Sequence, residues 1–470
     1  MRKEHDFLGD MEVPEDVYYG VQTLRAMVNF SITGQTLTSE FIVALAIVKK
    51  AAALANIKTG RLDLHVGNAI VTAATEIIDG KWHEQFVVDP IQGGAGTSMN
   101  MNANEVIANR ALEILGKEKG DYTIVSPNNH INMAQSTNDV IPTAIRIATQ
   151  MKTRKLLDVL NRTIELFNQK GEEFADIIKM GRTHLQDAVP ITLGQEFSAY
   201  ATALERSVRR LERSRQELLT INMGATAVGT GLNAEPAYIE QVVKEIAHLT
   251  GENFSTCPNL VDGTQNTDAL AEFSGSLKVC ALALSKICND LRLMASGPKC
   301  GLNEIILEPR QPGSSIMPGK VNPVIPEVVN QICFQVIGND AAICLAVEAG
   351  QFELNVMEPV MAYNLFNSLT FLTQGLTALC NHCLPSIRAN VEHCQSLVNG
   401  SVGIVTALAP YLGYEQSAKV AKEALESGKA VHEIVLEQKL LTAQELAVIL
   451  SPCNMTKPGI AGKSVVERAV

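Results

Sequence analysis

The sequence predicts a mainly α protein: a central bundle of very long helices over 139–393, flanked by a smaller mixed N-terminal region, 1–138, and a small helical C-terminal region, 394–470. Three observations lead there. Leu270, Leu277, Leu284 and Leu291 recur every seven residues and alternate with Phe273, Cys280, Ile287 and Met294, the apolar stripe of one long packed helix. Phe197, Leu204, Leu211 and Leu218 repeat the spacing, while Arg206, Arg209, Arg210, Arg213 and Arg215 on the other faces mark that helix as partly solvated. Residues 297–326 then hold six prolines and four glycines, so no long regular element survives there.

Taken in order, the N-terminal region mixes short elements with loops such as Gly93-Gly94-Ala95-Gly96-Thr97-Ser98, whose glycines free the backbone. Leu157, Leu160, Ile164 and Phe167 fall at three- and four-residue steps and predict a third bundle helix. Further helix-compatible stretches run over 327–347 and 359–384, and the chain beyond 394 is smaller and more polar. Helices of about 25 residues packed mostly on one another carry more apolar stripe than one subunit covers, which predicts an oligomer.

Composition excludes several partners. With 39 Lys and Arg against 50 Asp and Glu, a net charge of -11 and no block of five like charges, a nucleic-acid partner is not expected. The apolar stretch 41–57 is broken by Lys49-Lys50, and no comparable uncharged run is evident elsewhere, so no membrane span is expected. The N-terminus carries acids with no apolar segment behind them, unlike a secretory signal. Ten cysteines between Cys257 and Cys453 lack zinc-type spacing, and the Cys380–Cys383 pair stands alone. They read as reduced, mostly buried thiols of a cytoplasmic protein.

The chemistry concentrates in Gly313-Ser314-Ser315-Ile316-Met317-Pro318-Gly319-Lys320-Val321-Asn322-Pro323. Two hydroxyls, an ammonium and a carboxamide sit between residues that deform the backbone, and Lys320 with Asn322 can clamp an anion. Ile305, Ile306, Leu307, Ile316 and Met317 make the segment too apolar for a solvated linker, so it reads as an active-site lid. Three further stretches carry small polar groups: 96–102, 135–139 and 181–187. Each alone has a plain explanation, with Ser136 or Asn138 capping a helix, Thr97 closing a turn and His184 buried and satisfied.

Together, and with Val17–Thr23, Asp89–Ser98 and Lys457–Gly462, these stretches resemble the signature regions of the fumarase/aspartase superfamily over almost the whole chain, its aspartase branch above the others. The resemblance implies a homotetramer around a shared core of long helices, with each active site drawn from three subunits. It implies reversible deamination of L-aspartate to fumarate and ammonia. Ser314 is then the base that takes the proton beside the β-carboxylate, its oxyanion helped by backbone amides of the Gly-rich turn and by Lys320. Thr97, Ser136 and Thr137, with Ser315 or nearby backbone N–H groups, receive the carboxylate as it gains a second charge. Lys320, Asn322 and Thr183 hold the α-carboxylate, Asn138, Thr97 and His184 meet the amino group, and Glu327 orients His184. Arg182 and Arg292 are either helpers or ordinary salt bridges.

No cofactor and no catalytic metal are expected, since no ligand cluster stands out; an activating divalent cation such as magnesium is left open. Thr137 stands where fumarases carry a second serine, which favours aspartase over fumarate hydratase. The remaining alternative is a catalytically inactive scaffold of the same fold, against which the retention of Ser314, Lys320, Asn322 and His184 argues.

Overall fold

The apolar heptads become five helices of 25 to 37 residues: Thr137–Glu173, Leu193–Glu217, Asp268–Met294, Val324–Glu348 and Glu358–His382. The structure, a computed structural model, describes residues 1–464 and Val466. The longest of these helices runs about 55 Å. Leu270, Leu277, Leu284 and Leu291 are at most 1% exposed, as their period requires.

The chain divides into two compact units, and every one of the five helices contributes to both. The first comprises Met1–Asp158, Val208–Ala281 and Cys333–Thr373; the second comprises Val159–Ser207, Leu282–Ile332 and Gln374–Val470.

In the first unit, strands Arg2–Asp6 and Gly9–Val13 form an antiparallel hairpin with Arg2 opposite Val13. The rest of the N-terminal part is helical, with Ser39–Lys58, Leu64–Ile78 and Thr97–Ile114 spanning 20, 15 and 18 residues. These are longer than the short elements expected there. The reason is that Ser39–Lys58 is alanine-rich and buried on nearly every face, packed on Leu64–Ile78 and Pro236–Thr250, so it shows no amphipathic period. Asp63 caps the second of these helices by accepting from the backbone of His65 and Val66.

In the second unit, Ile178–Thr183 and Gln186–Thr192 form an antiparallel hairpin with a bulge between Met180 and Arg182. Ile178 and Met180 join Leu408, Val420, Ile434 and Ile449 of the C-terminal helices in one apolar core. Phe167, Phe174, Phe197 and Tyr200 stack edge-on or tilted in a second cluster. The proline-rich segment after Met294 stays irregular, with the short strand Ile305–Ile306 antiparallel to Arg388–Ala389.

Val324–Glu348 is long and apolar enough to cross a membrane by length and composition, contrary to the expectation that no such stretch exists. Its buried Asn330 and Asp340 are nonetheless satisfied by a neighbouring helix. Asn330 donates to Ser285 in one unit, and Asp340 accepts from Ser274 and Lys278 in the other. That pattern belongs to a bundle interior.

Candidate active site

In the first unit two helix N-termini converge. Thr97 opens Thr97–Ile114, and the preceding Gly96 takes φ 88. A Cβ on Gly96 would lie 3.0 Å from Ile141 Cγ1, so the loop approaches the Thr137–Glu173 helix closer than a side chain ordinarily comes. At the start of that helix the Ser136 N–H donates to Asp139 Oδ1 at 2.9 Å, while Ser136 Oγ accepts from the Asn138 N–H at 3.2 Å. This reciprocal cap explains why the helix begins at Thr137.

The capping leaves a defined set of free valences. Ser136 Oγ accepts one bond from the protein, and Thr137 Oγ1 accepts one from Asn100 Nδ2 at 3.3 Å, so both hydroxyls keep their hydrogen to donate. Thr97 differs, because its hydroxyl donates to Gly94 O at 2.8 Å and leaves only lone pairs. Asn138 Nδ2 donates to Ala227 O at 2.7 Å, and among the described residues nothing donates to its Oδ1. Two O–H donors at one helix N-terminus suit an anion, and the Asn138 and Thr97 oxygens suit an ammonium.

Beneath this turn lie residues that the sequence did not flag. Lys49 is fully buried and donates to Asn132 Oδ1 at 3.0 Å and Gln135 Oε1 at 2.9 Å. Burial pushes it down to about 7, against the attraction of Asp139. Burial likewise pushes the Asp139 carboxyl up to about 6, although backbone N–H groups oppose that shift. Asn100 also reaches Asn132 Oδ1, at 3.2 Å, and so ties Thr137 to the same cluster. The available signal was a lysine inside an alanine-rich apolar run.

In the second unit the hairpin turn carries Thr183 and His184. His184 and Leu185 take φ 54 and 61, as a two-residue turn between paired Thr183 and Gln186 requires. A bulky leucine there is strained, a condition that clusters at functional sites. Both Thr183 and His184 are exposed, so His184 is not a buried, satisfied histidine. Arg182 pairs with Glu304 at 2.8 Å, and Arg292 donates to Asn330 at 3.1 Å. Both arginines therefore have structural partners.

The 313–323 loop is pinched at its base. The Gly313 N–H donates to Lys320 O at 2.8 Å, and Asn322 Nδ2 donates to Gly313 O at 2.9 Å. Inside the loop Ser314 Oγ accepts from the N–H groups of Ile316 and Met317 at 3.2 and 3.1 Å. Two amide dipoles aimed at one hydroxyl oxygen favour its anionic form. Ser315 and Lys320 are exposed. Glu327 lies in the first turn of Val324–Glu348, and among the described residues no bond joins it to His184 within the chain.

Residues 9–338 match a family model described as Lyase, and residues 404–457 match one described as Fumarase C C-terminus. The aspartate ammonia-lyase of Bacillus subtilis (strain 168) is 60% identical over 467 residues, covering 99% of this chain and 98% of that protein. The chain belongs to the fumarase/aspartase family of lyases. A second family member, the aspartate ammonia-lyase of Escherichia coli (strain K12), is 48% identical and covers 100% of this chain and 99% of its own. Among solved structures, fumarate lyase:delta crystallin from Brucella melitensis bound to cobalt superposes with TM-score 0.95 at 50% identity, over 97% of this chain and 100% of that one. A recombinant class II fumarase from Schistosoma mansoni gives 0.93 at 36% identity, over 97% and 99%. The mainly α, long-helix architecture is thus one this family shares.

Proposed function

We propose that this chain is an aspartate ammonia-lyase that interconverts L-aspartate with fumarate and ammonia. The observation that carries this reading is the 60% identity, over 99% of the chain, to a protein of that name. In the proposed mechanism Ser314 removes the proton from the carbon beside the β-carboxylate. Its oxygen is suited to the task by the Ile316 and Met317 amides. The carboxylate becomes an enediolate and is received by the O–H groups of Ser136 and Thr137 at the start of the Thr137–Glu173 helix, with Ser315 of the loop. The electrons of the broken C–H bond then form the double bond as the C–N bond breaks and ammonia leaves. Asn138 Oδ1 and the Thr97 oxygen accept from the amino group; Thr97, its hydrogen committed to Gly94, fits this role better than that of carboxylate donor. Lys320, Asn322 and Thr183 hold the α-carboxylate, and His184 completes the amino-group side.

A homotetramer goes with this reading, each site being assembled from three subunits and the His184–Glu327 pair forming between protomers. Exposed apolar side chains on the long helices support it, among them Leu282 at 51%, Phe334 at 61% and Leu345 at 71%. The three-region division at 138 and 393 and a cytoplasmic location belong to the same proposal.

The test offers L-aspartate and L-malate side by side to the wild type and to Ser314→Ala, following fumarate by its ultraviolet absorbance. Aspartate should turn over and malate should not, and Ser314→Ala should lose about 10²- to 10⁴-fold while staying folded. Turnover of malate without aspartate overturns the substrate, and an undiminished variant overturns the base.

A further inference from the structure

The Ser136-Thr137-Asn138 turn is gripped by a carboxylate that the mechanism above does not use. Asp139 is completely buried, and its two oxygens serve different walls. Oδ1 accepts from the Ser136 N–H at 2.9 Å, whereas Oδ2 accepts from the N–H groups of Gly224 and Thr226 at 3.1 and 3.0 Å. One side chain thereby fixes the 224–227 turn relative to the helix start.

That turn is tightly constrained. Gly224 takes φ 92, and a Cβ on it would lie 2.8 Å from Ile239 Cγ1. Thr226 takes φ 57, a left-handed conformation that persists only where surroundings over-determine it. A second tie comes from Pro142. Lacking an N–H, it cannot bond to the carbonyl of Asn138 one helical turn back, and Asn222 Nδ2 fills that carbonyl at 3.0 Å instead. Asn222 also donates to Thr264 Oγ1 at 3.1 Å, anchoring the far side. The product of this construction is the position of Ala227 O, which accepts from Asn138 Nδ2 at 2.7 Å.

The orientation matters because the two ends of a carboxamide have nearly the same shape and opposite hydrogen-bonding character. An ammonium has only donors and needs the oxygen, whereas a hydroxyl or water oxygen can be met by the nitrogen. We propose that Asp139 is a positioning residue for the reaction proposed above, holding the 224–227 turn so that Asn138 presents its carboxamide oxygen to the amino group. The inference rests on that functional reading and adds a determinant of amine recognition to it.

Asp139→Asn keeps the size but replaces one acceptor with an NH₂, which faces either the Ser136 N–H or the Gly224 and Thr226 pair. The turn is released on one side, and Asn138 is free to rotate. In the amination direction, steady-state kinetics should show the KM for ammonia raised about tenfold while the KM for fumarate stays within about twofold. Asn222→Ala, which removes the other tie, should give the same split in milder form. It carries the test if Asp139→Asn does not accumulate as folded protein.

A merely structural role moves both KM values together or lowers kcat alone, and either result overturns the proposal, as does an unchanged ammonia KM in the folded variants. Failure of the wild type itself to interconvert aspartate and fumarate is a different outcome. It overturns the functional reading, and this inference with it.

Discussion

Replacing Glu304 by glutamine asks whether charge holds the hairpin that carries Thr183 and His184. Glu304 is fully buried, with Oε1 2.8 Å from Arg182 Nη1 and Oε2 3.3 Å from Lys179 Nζ, the latter an ion-pair contact without hydrogen-bond alignment. Lys179 keeps both oxygens of Glu196 at 3.0 Å if Glu304 is neutralised, whereas Arg182 loses its carboxylate and is left with a neutral amide oxygen and the Met180 carbonyl at 3.4 Å. Breaking a buried pair costs about 3–5 kcal/mol, and because Lys179 retains a partner the low end, about 3 kcal/mol, applies. That amounts to about a 150-fold increase in the local opening equilibrium. Native-state hydrogen exchange read by mass spectrometry over 178–192 should therefore accelerate about 10²-fold, with Pro236–Thr250 unaffected. Exchange within about threefold of wild type across the hairpin would show that packing and backbone pairing, rather than this charge cluster, hold it.

Thr137→Val keeps the side-chain shape and removes the O–H, so kcat for aspartate should fall about 10²- to 10³-fold. Stability should change by less than about 1 kcal/mol, since Asn100 keeps Asn132; a loss of activity below about tenfold removes Thr137 from the charge-receiving set. Gly313→Ala places a Cβ 2.8 Å from Lys320 O and so opens the loop base. Tryptic cleavage after Lys320 should quicken and turnover fall about 10²-fold, and unchanged values of both would show that the pinch is dispensable. Burial raises the Glu40 carboxyl, but its bonds to Lys155 and Lys152 outweigh that and hold it at about 2, below the ordinary 4.5. The stability it contributes is complete above pH 4.5 and is lost as pH falls towards 2. Glu40→Gln should destabilise by about 2 kcal/mol near neutrality, after allowance for the exposed Lys155. The melting difference from wild type should close as pH falls, and a constant difference would refute the assignment.

The heptads at Leu270–Leu291 and Phe197–Leu218 made the long helices legible, because each helix has one buried stripe and one solvated face. Ser39–Lys58 was opaque for the opposite reason, being buried nearly all round. In the candidate site, Ser314 and His184 stood out by residue type and by Gly or Pro neighbours, and Thr137 by its run of small polar residues. Their roles in the hydrogen-bond network did not, because those depend on partners far along the chain. Asn138 is oriented by Ala227, and Thr137 is met by Asn100. No local pattern foretells that Pro142 leaves a carbonyl for Asn222 to fill.

The interleaving of the two units has a consequence for biosynthesis. Met1–Asp158 emerges from the ribosome first, yet it cannot complete its unit until Thr373 follows, about 215 residues later. At elongation speeds of about 5 to 20 residues per second that delay is roughly 10 to 40 s, during which half-built helices expose apolar stripes in a crowded milieu. Such exposure leaves nascent chains open to misassembly for that interval, and a gene fragment ending before Thr373 lacks part of the first unit.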